Sequence, residues 1–132
     1  MRMDDRAKMR IKLISFGFKY GAPEDVNYLW DVRCLPNPHW VDELRPGTGR
    51  DHEVSEYVVG SAAGRDFLKY VKPMLIFLVQ QNRAAGKKEL VIAVGCTGGR
   101  HRSVAIVEEL CDVLKDLEVD LRCEHRDIDI GN

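Results

Sequence analysis

Apolar residues crowd into positions 11–16 (IKLISF), and the run stops at Gly17 and the turn-forming Tyr20-Gly21-Ala22-Pro23, which predicts a strand. Residues 28–32 predict a second, shorter strand. Between 36 and 49 the periodicity disappears. Pro36 and Pro38 flank Asn37 and exclude a helix there, and a loop of this length in a compact domain is usually functional or disordered. From Ser61 the spacing becomes helical: Phe67, Leu68, Val71, Met74, Leu75, Leu78 and Val79 recur at three- and four-residue steps. Pro73 removes one backbone donor inside that run, so a kink or a break into two helices is expected, with Gly86 as the stop. Residues 90–94 (LVIAV) read as a strand buried on both faces of a parallel sheet. A glycine-rich turn follows, then a helix with Val107, Leu110, Cys111, Leu114 and Leu117 on one side. Val119, Leu121 and Cys123 alternate with Asp120, Arg122 and Glu124, the pattern of a half-buried edge strand. Strands alternating with helices predict an α/β fold, a three-layer sandwich on a mainly parallel sheet of about four strands.

The 132 residues suffice for one domain, assigned to 11–130, with the polar residues 1–10 as a disordered N-terminal tail. Lysine and arginine total 20 against 21 aspartate and glutamate, a net charge of -1 that argues against coating nucleic acid by bulk charge. The longest apolar run, 74–79, is too short to cross a bilayer, and the charged N-terminus lacks the apolar core of a secretory signal. These features point to a cytoplasmic protein without membrane contact. The four cysteines (Cys34, Cys96, Cys111, Cys123) form no C-x-x-C pair and no zinc-like set with the histidines, so reduced thiols and no metal or cofactor are expected.

The segment that carries chemistry is Gly95-Cys96-Thr97-Gly98-Gly99-Arg100-His101-Arg102-Ser103, between the buried strand and the second helix. Open α/β sheets bind ligands at the carboxyl ends of their strands. Glycines let the backbone turn tightly with its N–H groups inward, and a helix start presents further unpaired amides. Positive charge at a helix N-terminus is unfavourable, so Arg100, His101 and Arg102 there ask for an anion. The whole describes a phosphate or carboxylate cradle. It is not a Walker loop, since no Lys-Ser/Thr pair follows, nor a G-x-G-x-x-G fingerprint. Cys96, Arg102 and Ser103 do spell C-x5-R-S, the loop of cysteine-dependent phosphatases, in which a thiolate attacks phosphorus and the arginine binds phosphoryl oxygens. That reaction also needs a general acid, and no aspartate can be assigned to it. The motif establishes an anion site rather than turnover, and the protein reads as a binding domain before an enzyme.

Four segments in order, Ser15-Phe16-Gly17-Phe18-Lys19-Tyr20-Gly21, Asp31-Val32-Arg33-Cys34-Leu35-Pro36-Asn37-Pro38-His39-Trp40, Leu44-Arg45-Pro46-Gly47-Thr48-Gly49 and the Gly95–Val104 stretch, resemble the C-terminal domain of the RapZ/YvcJ family. The resemblance covers about residues 11–127. Full-length members of that family carry an N-terminal P-loop domain; no Walker lysine occurs in this chain. The resemblance implies a regulatory domain that senses a phosphorylated amino sugar, glucosamine-6-phosphate. In enterobacteria it also implies an adaptor that binds small RNA and presents it to an endoribonuclease. The ligand residues it implies are Lys19, His39, Cys96, Thr97, Gly98, Gly99, His101 and Arg102, to which the loop reading adds Arg100 and Ser103. Arg102 would supply the fork, Lys19 a point charge from across the pocket, and His39 a donor to a sugar hydroxyl or phosphate. Two departures stand out. RNA-binding members end in a basic tail, whereas this chain ends Glu124-His125-Arg126-Asp127-Ile128-Asp129-Ile130-Gly131-Asn132, and Arg100 replaces the enterobacterial lysine. The alternatives carried forward are a cysteine-dependent phosphatase and an RNA-binding adaptor, with RNA, an RNase or a homodimer as the partners left open.

Overall fold

A computed structural model describes residues 8–130 of the chain. The elements run β1 (Met9–Gly17), β2 (Tyr28–Asp31), α1 (His52–Val59), α2 (Ala62–Ala84), β3 (Glu89–Cys96), α3 (Arg102–Leu114) and β4 (Val119–His125), with 3₁₀ turns at Phe18–Tyr20 and Pro38–Trp40. The four strands form one sheet in the order β2-β3-β1-β4, every pairing parallel. The expected α/β fold on a parallel four-stranded sheet is the fold observed. The expected N-terminal tail falls mostly on residues 1–7, outside the described residues, and the first strand begins at Met9 rather than at residue 11.

The main core lies where the helices cover one face of the sheet. Ile11 and Leu13 of β1, Leu90, Ile92 and Val94 of β3, Leu75 and Val79 of α2, and Ile106 and Leu110 of α3 close into one buried cluster. The layer on the other face is thin. There Phe18 and Val26, from the connection between β1 and β2, cover Ile14, Phe16 and Ala93. The crossover rule accounts for this asymmetry: parallel connections are right-handed, so a link leading toward β2 and one leading toward β4 must leave by opposite faces.

Three expectations change in the structure. Helix α2 runs unbroken through Pro73. Pro73 and Lys69 are both exposed, so the Lys69 carbonyl that loses its intrahelical donor can turn to water. Met74, counted on the apolar face, is 47% exposed beside Tyr70 and Phe77. Helix α1 falls in a stretch the periodicity did not mark, because its eight residues bury only Val54 and Val58.

The expectation of reduced thiols is overturned at two positions. Cys111 of α3 and Cys123 of β4 form a disulfide, with Cα atoms 6.7 Å apart, whereas Cys34 and Cys96 are free. The two are 12 positions apart in sequence. The spacing belongs to no recognisable motif, and only the packing of α3 beside β4 brings the two together. A loop of this length restricts the unfolded chain by about 3 kcal/mol in the chain-entropy account. Full reduction, or joint Cys111→Ser and Cys123→Ser substitution, is therefore expected to lower unfolding stability by about that amount. Urea melts with and without a dithiol reductant check this; coincident curves would contradict it.

Candidate functional site

Strands β1 and β3 are neighbours whose outgoing chains leave to opposite faces, which opens a crevice at their carboxyl ends. Gly17 and Cys96 face each other as the last pair of that ladder. The loop 97–101 fills the space above them and enters α3. It comes close to β1 because two glycines meet: a Cβ on Gly17 would stand 2.5 Å from the Gly98 carbonyl carbon and 2.8 Å from the Gly99 nitrogen. Gly99 itself has φ +73°, in the left-handed region that glycine enters without strain.

That turn leaves donors free. Among the described residues, the backbone N–H groups of Gly98, Gly99, Arg100 and His101 have no acceptor. Helix α3 has no side-chain cap, and its N-cap residue is His101. The loop therefore meets the helix start with a row of unspent amides.

Arg102 lies under this loop, only 5% exposed. Its Nη1 donates to the carbonyls of Arg33 (2.7 Å) and Leu35 (3.3 Å), and Nη2 to Thr97 Oγ1 at 3.3 Å. Its Nε is buried without a partner. Arg102 thus ties the segment that follows β2 to the loop while keeping donor capacity in hand. Arg100 is turned differently: it donates to the carbonyls of Pro46 (2.5 Å), Gly47 (3.0 Å) and Ile128 (3.1 Å). Part of the positive charge at the helix start is thus occupied in holding neighbouring backbone.

His101 Nε2 lies 3.0 Å from the Arg45 carbonyl, which can only accept, so this nitrogen carries a proton. Burial lowers the His101 pKa below its ordinary 6.5, and the charges of Arg100 and His39 push the same way against the carbonyls of Arg45 and Gly47. The folded protein holds this ring neutral where the unfolded chain would protonate it. Stability is then complete above pH 6.5 and declines as the pH falls below that value. His101→Gln is expected to flatten this decline, measured as the urea midpoint between pH 7.5 and 5; an unaltered slope would contradict the assignment.

Cys96 is 2% exposed. Its thiol donates to Ser103 Oγ at 3.2 Å, and the Ser103 N–H donates back to Sγ at 3.4 Å. Lys19 sits on the first 3₁₀ turn, where its N–H bonds the Thr97 carbonyl at 3.2 Å. His39 sits on the second, whose Asn37 side chain accepts the His39 N–H and whose carbonyl at His39 accepts from Arg45 Nε at 2.6 Å. The His39 ring stands edge-on to Trp40, with centroids 4.9 Å apart.

A cavity of about 380 Å³ opens between these parts. It collects Lys19, His39, Cys96, Thr97, Gly98, Arg100, His101 and Arg102 from the residues singled out in the sequence. Gly99 and Ser103 are not on its wall: Gly99 backs onto β1 and Ser103 lies beneath Cys96. Tyr20, Asn37, Trp40 and Ile130 complete the lining. Tyr20 and Trp40 neighbour residues already marked, but nothing in the hydropathic pattern brings Ile130 from the chain's end to this crevice. Among the described residues, no carboxylate lines the cavity, whereas Lys19, Arg100 and Arg102 do.

Residues 9–129 match the model of the RapZ C-terminal domain family. This chain belongs to that family. Relatives include proteins named nucleotide-binding protein from Mycolicibacterium vanbaalenii (46% identical over 92% of this chain and 38% of the relative). Others come from Acidothermus cellulolyticus (47%, over 95% and 42%) and Caldanaerobacter subterraneus (49%, over 89% and 42%). The RapZ C-terminal domain therefore spans about two-fifths of the length of the curated relatives it matches. Among the described residues, no helix is long and apolar enough to cross a membrane.

Proposed function

We propose that this RapZ C-terminal domain is a regulatory domain that binds a small phosphorylated metabolite in the 380 Å³ cavity, with the phosphate on the loop 97–102. The observation that carries the reading is the combination of four unpartnered amides with the buried, half-employed Arg102 in a cavity lined by cations. Leaving the buried Arg102 Nε–H unpaired is costly unless an acceptor arrives, the loop amides have no protein acceptor, and a phosphate brings three or four oxygens. Lys19 faces the loop as a point charge, and His39 and Asn37 stand where the remainder of a ligand would lie. An amino-sugar phosphate such as glucosamine-6-phosphate is the ligand assigned. The relatives' name agrees with this at the level of the phosphate group, although it describes proteins more than twice as long. Binding of the ligand then biases a downstream partner, an RNA or a protein.

The second reading is the phosphatase, and the favouring observation is Cys96 on the cavity wall at the base of the loop, with its sulfur held by the Ser103 N–H. Calorimetry with glucosamine-6-phosphate and glucosamine, beside an assay of p-nitrophenyl phosphate hydrolysis, separates the two. The sensor reading expects binding of the phosphate ester alone, kept in Cys96→Ser, and no turnover. Turnover that disappears in Cys96→Ser would replace it with covalent catalysis. Equal affinity for glucosamine would remove the phosphate from the account.

A further inference from the structure

Outside the cavity lining sits a buried acid that the ligand reading does not use. Asp127 is 2% exposed, just past the end of β4. Its Oδ2 accepts the Gly17 N–H at 2.8 Å. Arg126 closes the group, donating from Nε to Oδ1 (2.9 Å) and from Nη2 to Oδ2 (2.7 Å), with a further bond from Nη2 to the Gly21 carbonyl at 2.7 Å. The β1–β4 ladder ends at the pair Ser15 and His125, so Gly17 has no strand partner on that side. A side-chain carboxylate takes the place that the next rung would have filled.

The other side of Gly17 bears on the anion loop. The Gly17 backbone is packed so closely on the Gly98–Gly99 peptide that neither Gly17 nor Gly99 has room for a side chain. One peptide unit therefore separates the Asp127 carboxylate from the amides assigned to the phosphate. The same C-terminal segment holds the loop from a second point, through the Ile128 carbonyl that accepts from Arg100. A carboxylate this near an anion site repels the anion at long range, so its burial there needs a geometric reason.

We infer that Asp127 is a positioning residue of the anion site: through Gly17 it sets the height of the Gly98–Gly99 peptide and so the aim of its N–H groups. The inference rests on the reading of the loop as a phosphate cradle. It assigns to the segment just past β4, where the RNA-binding members of the family carry a basic tail, a supporting part in binding phosphate.

Two substitutions that keep a polar group at this site separate position from charge. Asp127→Asn retains an oxygen at the same reach from Gly17 and loses the charge. Asp127→Glu keeps the charge and moves the acceptor by one methylene. The positioning account expects Asp127→Asn to bind glucosamine-6-phosphate within about threefold of the unaltered chain and Asp127→Glu to lose about tenfold or more. In the ligand-free proteins, ¹⁵N-resolved spectra should show the Gly98 and Gly99 amides displaced in Asp127→Glu and near their original positions in Asp127→Asn. Leu121→Ala, a partly buried β4 residue packed against the main core, controls for general destabilisation and should leave those two amides in place. The reverse order of affinities would make the role one of charge and overturn the inference, as would loop amides that stay fixed in Asp127→Glu. If the unaltered chain binds no phosphate ester, the ligand reading fails, and the amide displacements still decide whether Asp127 governs the loop.

Discussion

Arg102→Ala is expected to weaken sugar-phosphate binding by at least about 30-fold, the roughly 2 kcal/mol that a charge-assisted contact contributes. It should also destabilise the fold. The guanidinium donates to the Arg33 and Leu35 carbonyls and to Thr97 Oγ1, and removing it leaves these acceptors in the interior without their donor. The cost of stranding them is about 2–4 kcal/mol in unfolding stability. Arg102→Lys discriminates the two effects: it restores the charge beneath the loop, but a single ammonium cannot reproduce a fork that reaches three acceptors in different directions. Calorimetry and urea melts on both variants check this. Unchanged affinity in Arg102→Ala would remove the residue from the site.

Gly17→Ala is expected to lose ligand binding together with about 1–3 kcal/mol of stability, the usual range for forcing atoms into filled space. The added methyl group would meet backbone atoms of Gly98 and Gly99 at 2.5–2.8 Å, and backbone cannot rotate aside as a side chain end can. The loop must lift away from β1, and its amides with it. Gly98→Ala is the matched comparison for stability alone, because its Cβ would meet no protein atom within 4 Å, although Gly98 itself lines the cavity. A Gly17→Ala variant as stable and as tightly binding as the original would show that the contact between β1 and the loop does not hold the site.

Much of this site was legible in the residues. The loop stood out because three glycines and three basic residues follow a strand-like apolar run, and the chemistry of phosphate needs such a conjunction. The parallel sheet followed from the doubly buried pattern at 90–94. Periodicity could not convey what depends on long-range packing. Arg100 looks in sequence like a ligand arginine, yet its donors go to carbonyls of Pro46, Gly47 and Ile128, which only the folded chain brings near. Cys111 and Cys123 read as reduced thiols because their pairing depends on where α3 lies against β4. Asp127 was in sequence one residue of the stretch that departs from a basic tail; only the fold buries it against Gly17 and Arg126. Burial outweighs its neighbours as a single influence and pushes its pKa up. The hydrogen bonds from Arg126 and Gly17 and the attraction of Arg126 together still bring it below the ordinary 3.8. It stays ionised in the folded protein at neutral pH and supports the fold until the pH falls through that low value.

The central claim is that the loop amides and Arg102 receive a phosphate. A ¹⁵N-resolved titration of the unaltered chain with glucosamine-6-phosphate, beside one with glucosamine, tests it most directly. The account predicts saturable shifts of the Gly98, Gly99, Arg100 and His101 amides and the Arg102 Nε–H with the phosphate ester, and none with the free sugar. Shifts that cluster elsewhere, or that glucosamine reproduces, would contradict it.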